Sequence, residues 1–211
     1  MATPPRPLAL CLFLLASCGS PGEEEPGPRF DEETTHPDVD PIAPYERCTV
    51  YTARENVTQF NHEFVCSELT HTSYPPVGGN HYPIWAAYQE YDAPVPWGFL
   101  LHSMEHGAVV VAYRCEDEAS CTLADDLRAI LDERPNDPLC AGQTHRNRMI
   151  LVPDPELDEP IAAVSWGRMY LATCLDAASL NAFIDVAYGN ARESLCNAGM
   201  DGSATGWCAA P

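Results

Sequence analysis

Hydrophobic positions along the chain follow two periods. Residues 107–113, Gly-Ala-Val-Val-Val-Ala-Tyr, form an unbroken apolar, β-branched run between a helix-breaking glycine and a charged loop, the pattern of a strand buried on both faces. In residues 122–134, Leu123, Leu127, Ile130 and Leu131 recur at helical spacing, with Thr122 placed as N-cap and Pro135 as stop. Residues 149–152 and 163–171 predict two more strands, separated by the proline-rich turn 153–160. Leu180, Phe183, Ile184 and Ala187 return to helical spacing within 176–188, and residues 49–53 add a strand. The order strand, helix, strand, strand, helix predicts an α+β fold, a small β-sheet covered by helices. Residues 54–106, rich in proline, glycine and aromatics, carry no clear period, and there is no internal repeat.

The N-terminus reads differently. Residues 1–17 hold one basic residue, Arg6, followed by an apolar run over 8–16. A bilayer needs about 20 apolar residues, so this run is too short to span one and reads as a signal peptide. It ends in Leu15-Ala16-Ser17-Cys18, which resembles the lipobox of bacterial lipoproteins. That resemblance implies cleavage before Cys18, a lipid on Cys18, and an extracytoplasmic protein whose membrane partner is reached through the lipid. Gly19, in place of Asp, implies the outer membrane in a Gram-negative envelope. Residues 18–44 are acidic and rich in proline and glycine, with little to bury, and predict a solvated tether. Residues 45–211 then form a single α+β domain.

Charge narrows the function. The chain of 211 residues carries 31 acidic side chains against 11 basic ones, all arginine, for a net charge of −20. Such a polyanion repels phosphate backbones, which excludes nucleic acid as a partner. Nothing in the sequence names a protein partner.

Ten cysteines are unusual in a reducing cytosol and ordinary in an exported protein. With Cys11 in the signal and Cys18 lipidated, Cys48, Cys66, Cys115, Cys121, Cys140, Cys174, Cys196 and Cys208 remain, an even set that predicts four disulfides. Loop lengths suggest neighbours: Cys115 with Cys121, Cys196 with Cys208, Cys48 with Cys66, and Cys140 with Cys174. No C-x-x-C spacing occurs, and paired thiols are not nucleophiles, so these cysteines are structural.

Five of the seven histidines fall within residues 54–106. His102 and His106 stand at i and i+4, which in a helical turn presents two imidazoles to one ion. Glu105 between them is a candidate ligand, catalytic base or acceptor that fixes an imidazole tautomer. Pro75-Pro-Val-Gly-Gly-Asn-His81 supplies a third imidazole on a glycine loop, and His71 is a candidate fourth. His36 lies in the tether, while His62 and His145 stand alone on polar segments. The expectation is a transition-metal site, zinc or copper, at His81, His102 and His106. A metal-free structural or interaction protein is the alternative, and a metal-dependent hydrolase or oxidase with Glu105 as base is another. His102-Ser-Met-Glu-His106 also fits the inverted zinc-protease pattern, but Gly107 and a strand follow at once, leaving at most a short helix. Nucleophile-elbow, phosphate-loop and dinucleotide motifs are absent from the sequence.

These residues resemble a bacterial extracytoplasmic family catalogued as a domain of unknown function (number 3105). The resemblance is carried by Pro75, Pro76, Gly78, Gly79 and His81, by His102, Glu105, His106 and Gly107, and by Ser165, Trp166, Gly167 and Arg168. It spans roughly residues 65–190, with Met104 where the pattern has leucine. It implies an exported or membrane-attached domain and no particular activity.

Overall fold

The computed structural model describes residues 29–115 and 121–208. The signal peptide expected over residues 1–17, the lipid site expected at Cys18 and the expected tether up to residue 28 lie outside the described residues. Six strands build one mixed sheet: β1 (Arg29–Thr35), β2 (Val50–Glu55), β3 (Val109–Tyr113), β4 (Met149–Pro153), β5 (Ile161–Ser165) and β6 (Arg168–Ala172). Their order is β1-β2-β6-β5-β3-β4. Neighbours are antiparallel except β3 and β4. A parallel pair needs a long crossover, and here it contains α2 (Leu123–Asp132). Two further helices, α1 (Trp97–Glu105) and α3 (Ala177–Ala187), complete the α+β fold.

The unbroken apolar run of β3 is explained by its place inside the sheet, with α-helices over both faces. Val110 and Ala112 pack with Phe99, Leu101 and Met104 of α1. Val109 and Val111 point the other way, against Leu127 of α2 and Ile184 of α3. Each fully buried valine contributes about 1.5–3 kcal/mol relative to exposure, so neither face tolerates a polar residue.

Two elements depart from the sequence pattern. The single strand expected over 163–171 is a hairpin, β5 and β6, whose two-residue link is Trp166-Gly167. Gly167 adopts φ 70, a conformation that costs glycine little. The residues flanking the link are all buried or half-buried, so hydrophobicity alone does not reveal the break. The stretch expected to be a tether through Pro44 already forms β1 from Arg29. Most of β1 is exposed, and it is held by backbone pairing with β2 and by polar contacts. Arg29 Nε lies 2.9 Å from Glu55 Oε1, the Tyr51 hydroxyl donates to Glu32 over 2.6 Å, and Arg54 reaches Asp31 at 3.1 Å. An edge strand needs no buried face, and its charges discourage edge-to-edge pairing with another sheet.

Among the described residues four disulfides form, and of these only Cys115–Cys121 joins chain neighbours as expected. The others are Cys48–Cys174, Cys66–Cys208 and Cys140–Cys196. They replace the expected Cys48–Cys66, Cys140–Cys174 and Cys196–Cys208 pairs. Sheet register explains the first. Val50 pairs with Ala172, and continuing that antiparallel register two residues outward sets Cys48 opposite Cys174. Among the described residues, no helix is long and apolar enough to cross a membrane.

Candidate metal centre

α1 ends where the strand behind it begins. The Gly107 amide donates to the Met104 carbonyl, and Gly107 takes φ 95, the left-handed turn that closes a helix. Arg148, buried at the start of β4, donates from Nη1 to the His106 carbonyl over 2.6 Å and pairs with Asp137 at 2.9 Å. A Cβ at residue 107 would come within 2.4 Å of that guanidinium, a second reason for glycine there. This clamp holds the last turn of α1, and so His102 and Glu105, against the sheet.

His81 comes from the glycine loop. Its backbone bridges that of His62, with the His81 amide donating to the Asn61 carbonyl and the Glu63 amide to the His81 carbonyl. The Gly167 amide, in the β5–β6 turn, donates to the Val77 carbonyl over 2.7 Å. Trp166 of the same turn lies edge-on to the His81 ring at 5.8 Å. The proline-glycine loop, the Trp-Gly turn and α1 therefore meet around one point.

At that point His62, His81, His102 and Glu105 each offer one donor atom, all within 4.8 Å of one another. The imidazole rings of His62, His81 and His102 are 4.8–5.1 Å apart. Glu105 divides its oxygens. Oε2 lies 3.0 Å from His81 Nε2 and 3.9 Å from His62 Nε2, while Oε1 accepts from Arg192 Nε over 3.2 Å. Four donors around an ion at about 2.0–2.1 Å sit roughly 3.4 Å apart in a tetrahedron, so the widest pairs must close by up to about 1.4 Å to bind one ion.

The tautomers of two rings follow from their partners. His81 Nδ1 is 2.8 Å from the Gly79 carbonyl, and His102 Nδ1 is 2.6 Å from the Tyr82 carbonyl. A carbonyl only accepts, so both Nδ1 atoms carry the proton and donate. In the neutral ring this leaves Nε2 with its lone pair free, the arrangement that orients histidines toward metals. Burial pushes the pKa of His102 down to about 4, against an opposing pull from the Tyr82 hydrogen bond. His102 is therefore neutral at physiological pH and ready to donate a lone pair.

The structure brings His81, His102 and Glu105 together, as the motifs suggest, and adds His62 where His106 was expected. His106 caps α1, belongs to no group of converging donors among the described residues, and points Nε2 at Glu193 Oε2, 3.3 Å away. Helical i,i+4 alignment does bring its ring within 4.6 Å of His102, but Trp85 packs against both rings. Burial lowers the pKa of His106 to about 4 as well, and its buried Nδ1 has no hydrogen-bond partner among the described residues. His71 also stands outside the group, its buried Nδ1 without a hydrogen-bond partner among the described residues. His36 bonds the Cys48 carbonyl. His145 lies 3.1 Å from Cys196 Sγ, which is bonded to Cys140 in a disulfide and so offers no thiolate. No period or motif marks His62, because only the bridge between two irregular segments carries it to the site.

The members of the centre differ in exposure. His81 is fully buried and the Glu105 side chain 9% exposed, whereas His62 is 51% and Arg192 44% exposed. A family model described as Protein of unknown function (DUF3105) matches residues 62–198, a span that contains all four converging residues. No curated protein sequence and no solved structure matches the chain.

Proposed function

For this chain, which belongs to the DUF3105 family, we propose a function in binding one transition-metal ion through His62, His81, His102 and Glu105. The observation that carries it is the pair of Nδ1–H donors tied to the Gly79 and Tyr82 carbonyls, which commits two buried Nε2 lone pairs to the site. Imidazole with carboxylate suits zinc or copper(II), and every described cysteine is bound in a disulfide, so soft thiolate ligands that select copper(I) are lacking at the site. Glu105 acts as a ligand through Oε2, and the exposed His62 side leaves the ion reachable from solvent. The domain works outside the cytoplasm, where disulfides persist, held at a bacterial membrane by lipid on Cys18.

A second reading has its own support. Arg192 already neutralises Glu105, so the same four residues make a metal-free hydrogen-bonded cluster in a structural or interaction protein. Equilibrium dialysis of the full chain, purified without a histidine tag, against zinc and copper(II) separates the two. One ion per chain, retained against dilute competing imidazole, supports the metal centre. No stoichiometric ion selects the structural cluster.

A further inference from the structure

Arg192 has a second task beyond neutralising Glu105: we infer that it forms, with the metal, a site for a small carboxylate. This rests on the metal reading and deepens it. The guanidinium is fixed at two points. Its Nε donates to Glu105 Oε1 at 3.2 Å, and its plane lies over the Phe60 ring, 3.5 Å from the centroid. Phe60 is itself packed edge-on to Trp166, so the stacking surface is part of the wall that also backs His81. The segment carrying Arg192 is pinned on the same side, because the Glu193 amide donates to the Glu105 carbonyl and the Leu195 amide to the His106 carbonyl. Cys196 then joins it to Cys140.

With Nε and the ring face both occupied, the two Nη groups have no hydrogen-bond partner among the described residues, and the side chain is half-exposed. A pre-oriented guanidinium edge of that kind matches a carboxylate with two parallel hydrogen bonds. His62, the other exposed member, lies 3.9 Å from the Glu105 carboxylate through Nε2. A ligand entering there meets the metal and the guanidinium together, and it exchanges only solvent, since His81, His102 and Glu105 are shut in.

The surroundings select charge as well as shape. The chain is strongly acidic, and Glu193 and Glu63 stand close by, on His106 and on Asn80. A divalent metal, Arg192 and Glu105 together carry a charge of about +2, which Glu193 and Glu63 at the rim already offset, so a phosphate dianion adds one more unfavourable charge than a carboxylate does. The ligand class is therefore a monoanionic carboxylate, free or at the end of a larger molecule.

Cobalt(II), with its visible ligand-field bands, is the probe ion, and sodium acetate is the probe ligand. The full chain loaded with one cobalt(II) is expected to change its spectrum saturably with acetate and far less with phosphate. Arg192→Met, loaded with one cobalt(II) per chain and read against its own acetate-free spectrum, should bind acetate about ten- to a hundredfold more weakly, the range for losing a charge-assisted hydrogen-bond pair. Arg192→Lys, which keeps the charge but not the fork, should fall between them. Acetate titrations that are identical in parent and Arg192→Met overturn the inference while leaving the metal centre standing. Stronger binding of phosphate than acetate overturns the carboxylate assignment. A chain that takes up no cobalt(II), zinc or copper(II) overturns the metal reading and this site with it.

Discussion

Nε2 of His81 faces Oε2 of Glu105 across 3.0 Å, in a position where the imidazole is fully buried. His81 already donates from Nδ1 to Gly79, so in the neutral ring the short contact sets lone pair against lone pair. A proton or a cation must lie between them. This one contact separates a metal centre from an ion-paired cluster, and the first prediction tests it.

Replacing His81, His102 or His62 by Ala is expected to lower zinc affinity at least about tenfold each, whereas His106→Ala leaves it within a few-fold. Competition with a chromophoric chelator measures both. Glu105→Gln keeps the shape and removes the charge. Loss of zinc in that variant identifies a ligand, while retained zinc would return Glu105 to the role of a base. Equal losses from His106→Ala and His81→Ala would contradict the arrangement described.

Acid should destabilise the metal-free protein before its carboxylates titrate. His102 and His106 have folded pKa values near 4, below the unfolded value of about 6.5. The unfolded chain therefore takes up two protons that the folded chain refuses, and stability present above about pH 6.5 is lost as pH falls toward 4. The slope is on the order of 1 kcal/mol per pH unit for each histidine. Urea unfolding with chelator present, at pH 7, 6 and 5, gives the slope. His106→Gln should remove about half of it, and an unchanged slope would exclude His106 as a contributor.

Arg148→Met is expected to cost about 3–5 kcal/mol, the usual penalty for stranding one member of a buried ion pair. Asp137 would then keep only the Tyr188 hydroxyl and its local backbone contact, and the His106 carbonyl would lose its donor. The double variant Arg148→Met, Asp137→Asn should recover part of the loss, because the stranded charge is gone. Denaturant midpoints of the two variants check both parts.

Peptide mapping without reductant should recover Cys48–Cys174, Cys66–Cys208, Cys115–Cys121 and Cys140–Cys196, with no free thiol among those eight cysteines. Cys66–Cys208 closes the longest loop, 142 residues apart, and follows four residues after His62. Its replacement by two serines should cost several kcal/mol, as loops of that length do, and should loosen the His62 side of the centre. A fragment linking Cys48 to Cys66 would overturn this connectivity.

Local signals in the sequence were sufficient for the elements that bury their own side chains. β3, α2 and α3 follow from apolar period, and the predicted helix over 122–134 is α2, Leu123–Asp132, although Thr122 at its N-cap makes no side-chain capping bond. β1 was illegible because an edge strand is held by backbone pairing and surface charge, which leave no hydrophobic trace. The β5–β6 break was hidden by the buried or half-buried residues on either side of it.

By itself the sequence determined the α+β class, the even set of structural cysteines, and the histidine and glutamate residues on the loop and on α1. The tertiary structure alone decided which of them converge. Disulfide pairing depends on sheet register, which sets Cys48 beside Cys174 across 126 residues of chain. His62 reaches the centre through a single backbone bridge to His81 between two segments without period. His106, correctly spaced for a helix face, is turned to Glu193 by the cap that ends α1. Convergence of side chains from distant segments is a property of packing, and packing leaves its mark on the sequence only where it repeats.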